Sequence, residues 1–192
     1  MDVMIIGLVL FLAPHSVRIY APGLRERAIE RLGLNLWKAL YALVSGAGLA
    51  LIVWGFGLAR AHPTVLYVPA GWLRHLNALF TLIAFVLFAA AYVPRNHLKA
   101  AIGHPMLAGV KIWALGHLLA TGMLHDVVLF GAFLVWAAAD FAVLRRRDRR
   151  TGTAYPPGSA AGDVVTVLAG AVAWAVFAFW LHAALIGVNP FG

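Results

Sequence analysis

Cysteine is absent from this chain, which at once excludes disulfides, thiolate metal sites and cysteine nucleophiles. Charge is nearly as scarce. Only 11% of the 192 residues are Asp, Glu, Lys or Arg, where a soluble domain carries roughly a quarter. Too little polar sequence remains to cover a water-soluble core of this size. What fills the chain is apolar, 63% of it, gathered into runs that approach or exceed the ~20 residues needed to cross hydrocarbon. These features describe an integral membrane protein.

Six apolar segments stand out, at about Val3–Ser16, Leu36–Ala59, Leu73–Val93, Pro105–Ala120, Val127–Leu144 and Val164–Val188. They run without the polar–apolar alternation of barrel strands, so helices are the structure that satisfies their backbone in lipid. The expected fold is all-α: a polytopic transmembrane bundle of about six helices forming a single membrane domain over 1–192. The first and fourth segments are short for a full span. The N-terminal run is apolar from Val3, with no basic stretch before it and no small-residue cleavage site at Pro14-His15-Ser16, and reads as a retained first span.

The formal net charge is +8, and the basic residues sit in the connections. Contact with anionic lipid head groups fits that pattern better than nucleic-acid binding. Arg18, Arg25, Arg27, Arg31 and Lys38 surround the first connection, Arg95 and Lys99 the third, and Arg145, Arg146, Arg147, Arg149 and Arg150 the fifth. The even connections hold only Arg60 and Arg74. By the positive-inside rule the odd loops are cytoplasmic and both termini lie on the other side. The stretch 145–163 mixes its arginines with Pro, Gly and Ser and reads as a basic, flexible cytoplasmic linker before the last helix.

Ionisable groups inside a bilayer are costly, so each invites a functional reading. The candidates are His15 with Arg18, then His104, Lys111 and His117, then Asp140 and His182. His62, His75, His97 and His125 fall at connections and read as ordinary interfacial residues. At about 100° per residue His104 and Lys111 share a helix face, whereas His117 points away with Met106, Val110 and Trp113. Two readings stand for His117: a haem-iron ligand in a helix-bundle core, or an interhelical hydrogen bond. For His15 there are three: a ligand, a neighbour of an Arg18 contact with lipid phosphate, or a plain helix end. Lys111 and Asp140 lie at comparable depth on successive antiparallel helices and are expected to pair.

The segments Leu12-Ala13-Pro14-His15-Ser16-Val17-Arg18-Ile19 and Gly103–Gly122, continuing through Leu129–Ala137, resemble the NnrU family of bacterial membrane proteins. The resemblance is clearest over 1–147. It implies a multi-pass protein of the bacterial inner (cytoplasmic) membrane, associated with nitrite and nitric oxide metabolism in denitrification. The family is similar to plant ζ-carotene isomerase, a membrane enzyme that binds haem b and isomerises a double bond through a redox-dependent ligand switch. That likeness implies haem b as cofactor, with His15 and His117 as axial ligands and the His-Pro histidine at His104. The isomerase's cysteine one turn before the second ligand is Ala114 here, so a switch to thiolate is excluded. Counted by helical rise, His15 lies about 5 Å deep and His117 about 18 Å, which leaves His15 with His104 as a second pairing.

The expected function is thus an NnrU-like, haem-b-binding membrane protein with a redox or isomerase-type role. Its partners would be the bilayer, and a nitrogen-oxide reductase system or a lipophilic small molecule. Other readings stand beside it: a non-enzymatic membrane protein with structural histidines, or a transporter, although no inverted repeat is visible. The Gly103–Gly109 string also resembles the His-Pro motif of S-adenosylmethionine-dependent membrane methyltransferases. Those enzymes add downstream Glu and Tyr residues, and Leu118–Leu144 contains neither.

Overall fold

A computed structural model describes residues 1–191, apart from the side chain of Arg18, so the lipid contact expected of Arg18 lies outside the described residues. Apart from one isolated antiparallel bridge, Val65 to Met123, every element described is helical. The chain forms two compact units, Met1–Thr64 and Val65–Gly192.

The first unit comprises α1 (Asp2–Tyr20), α2 (Pro22–Leu32) and α3 (Leu34–Arg60). Pro22 ends the first helix: Ala21, before it, is pushed out of helical conformation (φ −137°, ψ 56°), and Pro22 opens the next helix, where its missing N–H costs nothing. Gly33 makes the second break with φ 79°, a conformation that suits glycine. α1 and α3 run antiparallel and meet backbone to backbone. A Cβ on Gly7 would stand 2.6 Å from the Ile52 nitrogen, one on Gly48 2.7 Å from the Phe11 nitrogen, and one on Gly55 would collide with Met4. Small residues at such contacts let helices approach closely enough for dense packing without a water-driven hydrophobic effect.

The second unit comprises α4 (Leu73–Tyr92), α5 (His97–Ile102), α6 (Pro105–Ala120), α7 (Leu124–Thr151) and α8 (Ala160–Val176). A π-helical turn (Phe177–Leu181) then leads into α9 (His182–Ile186). α6 packs between α4 and α7, and α8 packs on α4. Side chains of α4 fill the gaps: Phe88 against Gly109, Phe80 against Gly116 and Val86 against Gly170. Trp174 Nε1 donates to Thr81 Oγ1 at 3.0 Å. Between α4 and α5, buried Asn96 donates to the carbonyls of Ala90 and Val93 and accepts from the Lys99 amide, capping α5.

Among the described residues, four helices are long and apolar enough to cross a membrane: α3, α4, α7 and the run Ala160–Ile186. α1 and α2 pass the same test only as a pair, with a bend of 88° between them. By this measure at least four of the about six expected spans are found. α6 is apolar but 16 residues long, about 24 Å at 1.5 Å per residue against a hydrocarbon core of about 30 Å.

Two further expectations are corrected. The arginines at 145–150 belong to α7, which runs on to Thr151 and ends at Gly152 in a left-handed cap. Arginine is a good helix former, and cations suit a helix C-terminus. The connection shrinks to 152–159, and it is tied down: the Ser159 amide and hydroxyl both donate to the Arg95 carbonyl. The expected Lys111–Asp140 ion pair is not formed. Lys111 Nζ stands 3.7 Å over the ring of Phe141, and Asp140, one residue earlier on α7, points about 100° away.

Candidate functional site

His117 occupies the last turn of α6, held there by the packing of the residue before it. Gly116 faces α4, with no room for a Cβ beside Asn77 and Phe80. One residue on, about 100° around the helix, His117 faces α7 and stacks on Phe130 with ring centroids 4.4 Å apart and planes at 22°. Trp113, one turn back, lies 5.3 Å from the imidazole and packs edge-on against Phe130 and Phe133. Three aromatic rings thus line this part of the α6–α7 interface.

The hydrogen bonding of His117 assigns its tautomer. Nδ1 lies 2.8 Å from the carbonyl oxygen of Trp113, and a carbonyl only accepts, so Nδ1 carries the proton and donates. Nε2 is left with its lone pair and makes no hydrogen bond among the described residues. An imidazole that donates one nitrogen to a backbone carbonyl and presents the other is the arrangement of a metal-ligating histidine.

His15 in the first unit makes the same kind of Nδ1 bond. Its Nδ1 lies 2.6 Å from the Phe11 carbonyl, again four residues back, and its ring stacks on Phe11 at 4.4 Å. Tyr41 of α3 closes on it at 5.1 Å. Here too Nδ1 donates, and Nε2 is the acceptor nitrogen.

His104 is held differently. It is the N-cap residue of α6 and follows Gly103, whose φ of 78° reverses the chain after α5. Its Nε2 lies 2.8 Å from Asp148 Oδ2, and Tyr155 donates its hydroxyl to the same oxygen at 2.8 Å. The Tyr155 hydroxyl is 3.3 Å from His104 Nε2, and its ring fills the space a Cβ on Gly103 would need. Burial, then the hydrogen bond and charge of Asp148, push the Tyr155 phenol up to about 12, although Arg145 and Arg147 pull it back. The Nε2 of His104 is thus occupied by a carboxylate.

The remaining histidines divide. His97 pairs with Asp163 on α8 through its amide at 2.8 Å and Nδ1 at 2.6 Å, joining α5 to the last helix. His125, expected at an interface, is buried beside Asp126. His62 and His75 are exposed, and His182 bonds the Val188 carbonyl at 2.7 Å. Among the described residues no three His, Asp or Glu side chains converge where a metal ion would sit.

The sequence reading missed Asp148 and Tyr155. Their signals were present: Asp148 is the lone acid inside the arginine run, and Tyr155 the lone aromatic of the connection that follows.

The sequence profile of the NnrU protein family matches residues 3–190, nearly the whole chain. The chain belongs to the NnrU family. The match runs through both units and takes in the last helix as well as the His15 and His104–His117 segments. No curated protein and no solved structure matches the chain.

Proposed function

We propose that this NnrU-family protein binds haem b in the membrane, with His117 as a residue that would hold the iron, and serves a redox role linked to nitrogen-oxide metabolism. The observation that carries the reading is the Nδ1 bond from His117 to the Trp113 carbonyl, which presents Nε2 as a lone pair among aromatic rings. Haem would supply one-electron chemistry; the chain supplies the ligand nitrogen, its orientation, and apolar rings that keep water away. His15, with the same Nδ1 geometry, is the candidate ligand of the first unit. His104 is assigned to the polar cluster with Asp148 and Tyr155 and not to iron. The link to nitrite and nitric oxide rests on the family resemblance.

The same bonds would also satisfy a histidine that merely packs, so the spectrum decides. Protein purified in detergent from haem-supplemented cells is expected to show a Soret band. His117→Ala is expected to abolish it, His15→Ala to shift or weaken it, and His104→Ala to leave it in place. Colourless wild-type protein at full haem supply would overturn the proposal in favour of structural histidines.

A further inference from the structure

α2 carries an apolar stripe that stays exposed among the described residues of the first unit. None of its residues is buried, and Leu24 and Leu32 are 51% and 44% exposed. With Ala28 they form a stripe at positions i, i+4 and i+8. At about 100° per residue, Arg25 and Arg31 lie some 60° to either side of that stripe and Arg27 about 100° from it. Glu26 and Glu30 lie about 160° away, on the opposite face. The order around the helix is apolar, then basic on the flanks, then acidic.

The orientation of α2 follows from its neighbours within the first unit. α3 is long and apolar enough to cross a membrane, and α1 runs antiparallel along it from Met4 to His15. α2 bends away from α1 by 88° at Pro22 and joins α3 through Gly33 alone. If α1 and α3 stand along the bilayer normal, α2 lies across it, at the depth where α3 begins. Exposed Leu34, Leu36 and Leu40 at the start of α3 continue the apolar surface.

We infer that α2 is an interfacial helix that binds the surface of an anionic phospholipid bilayer. Leu24, Ala28 and Leu32 sink among the first acyl carbons. Arg25, Arg27 and Arg31 reach lipid phosphates on the flanks, their methylene stems lying along apolar surface. Glu26 and Glu30 face water, away from the phosphates. A protein partner would have to cover a stripe only three residues long against the pull of lipid on both of its flanks, which is why lipid is the occupant inferred. The inference is independent of haem binding.

Because the chain has no cysteine, single labels report without background. Leu24→Cys, Leu32→Cys, Glu26→Cys and Glu30→Cys are each spin-labelled in the full chain and reconstituted into phosphatidylcholine vesicles containing phosphatidylglycerol. Leu43→Cys, on an open face of α3 at 69% exposure, sets the value for an acyl-chain environment. The expected result is a ratio of oxygen to nickel-chelate accessibility several-fold higher at 24 and 32 than at 26 and 30, approaching that at 43. Equal nickel access at all four positions would overturn the inference. So would shielding of 24 and 32 from both reagents, which is the signature of a protein or a second copy covering the stripe.

Discussion

In the first unit His15 rides on a helix that meets its partner backbone to backbone, whereas in the second His117 rides on a helix spaced from its neighbours by aromatic side chains. Glycines at 7, 48 and 55 leave no room between α1 and α3. Around His117 the space is filled by Trp113, Phe130 and Phe133, and Asn96, His97 and His104 make their polar contacts at helix ends. Yet the two imidazoles are set alike, each donating Nδ1 to the carbonyl four residues earlier and stacking at 4.4 Å on a phenylalanine. The tautomer is therefore a local property of a histidine within a helix. What the units contribute is how tightly each ring is held and what surrounds it.

The largest effect is expected where backbone meets backbone. Gly48→Leu has no space to enter, and overpacking of this kind costs about 3 kcal/mol or more. The variant should fail to accumulate as folded protein, while Gly57→Leu on the same helix, with nothing within 4 Å of its Cβ, should be silent. Equal thermal stability of the two in detergent would remove the close-packing account of the first unit. In the second unit Phe130→Ala deletes the ring stacked on His117 and should cost about 3 kcal/mol. Unlike the glycine change it leaves the Nδ1 bond in place, so on the haem proposal the cofactor should still bind but exchange faster to an acceptor such as apomyoglobin. Unchanged exchange would mean that the ring only packs.

The same contrast explains what was legible in the sequence. All six apolar segments fall in helices, because continuous apolarity in lipid leaves the backbone no other choice. α2 and α5 were not read as helices: one interrupts its apolar residues with charges and the other is only six residues long, so neither produces an apolar run. His117 and His15 stood out as histidines in apolar surroundings, and their tautomers follow from a partner four residues away. Asp148 and Tyr155 lie 44 and 51 residues from His104, beyond any helical period, and their contact with it depends on how α6, α7 and the 152–159 connection fold together. The arginines around Asp148 hid it further, by making the whole stretch read as a solvated linker.

A smaller effect is expected at that cluster. Tyr155→Phe removes one hydroxyl that donates to a carboxylate, which should cost about 1–2 kcal/mol. Asp148→Ala should cost more, since it leaves both His104 and Tyr155 without their acceptor. Neither change should alter the haem spectrum if His104 is no ligand; a lost Soret band in Tyr155→Phe would instead tie the cluster to the iron.

The finest test concerns pH. The Tyr155 phenol is raised from 10.0 to about 12 in the fold, so folding favours its protonated form. Its contribution is complete below pH 10, where the phenol is neutral folded or unfolded, and fades as pH rises towards 12, where the phenol ionises in the fold as well. The stability gap between wild type and Tyr155→Phe should therefore stay constant up to about pH 10 and narrow above it. Lysines, arginines and the other four tyrosines titrate in both proteins, so the difference isolates this hydroxyl. No corresponding change is expected for Phe130→Ala, whose gap from wild type involves no proton and should run parallel across the range. A gap for Tyr155→Phe that also ran parallel would show that the cluster is held by ring packing against Gly103, as the aromatic contacts of the second unit are, and not by the bond to Asp148.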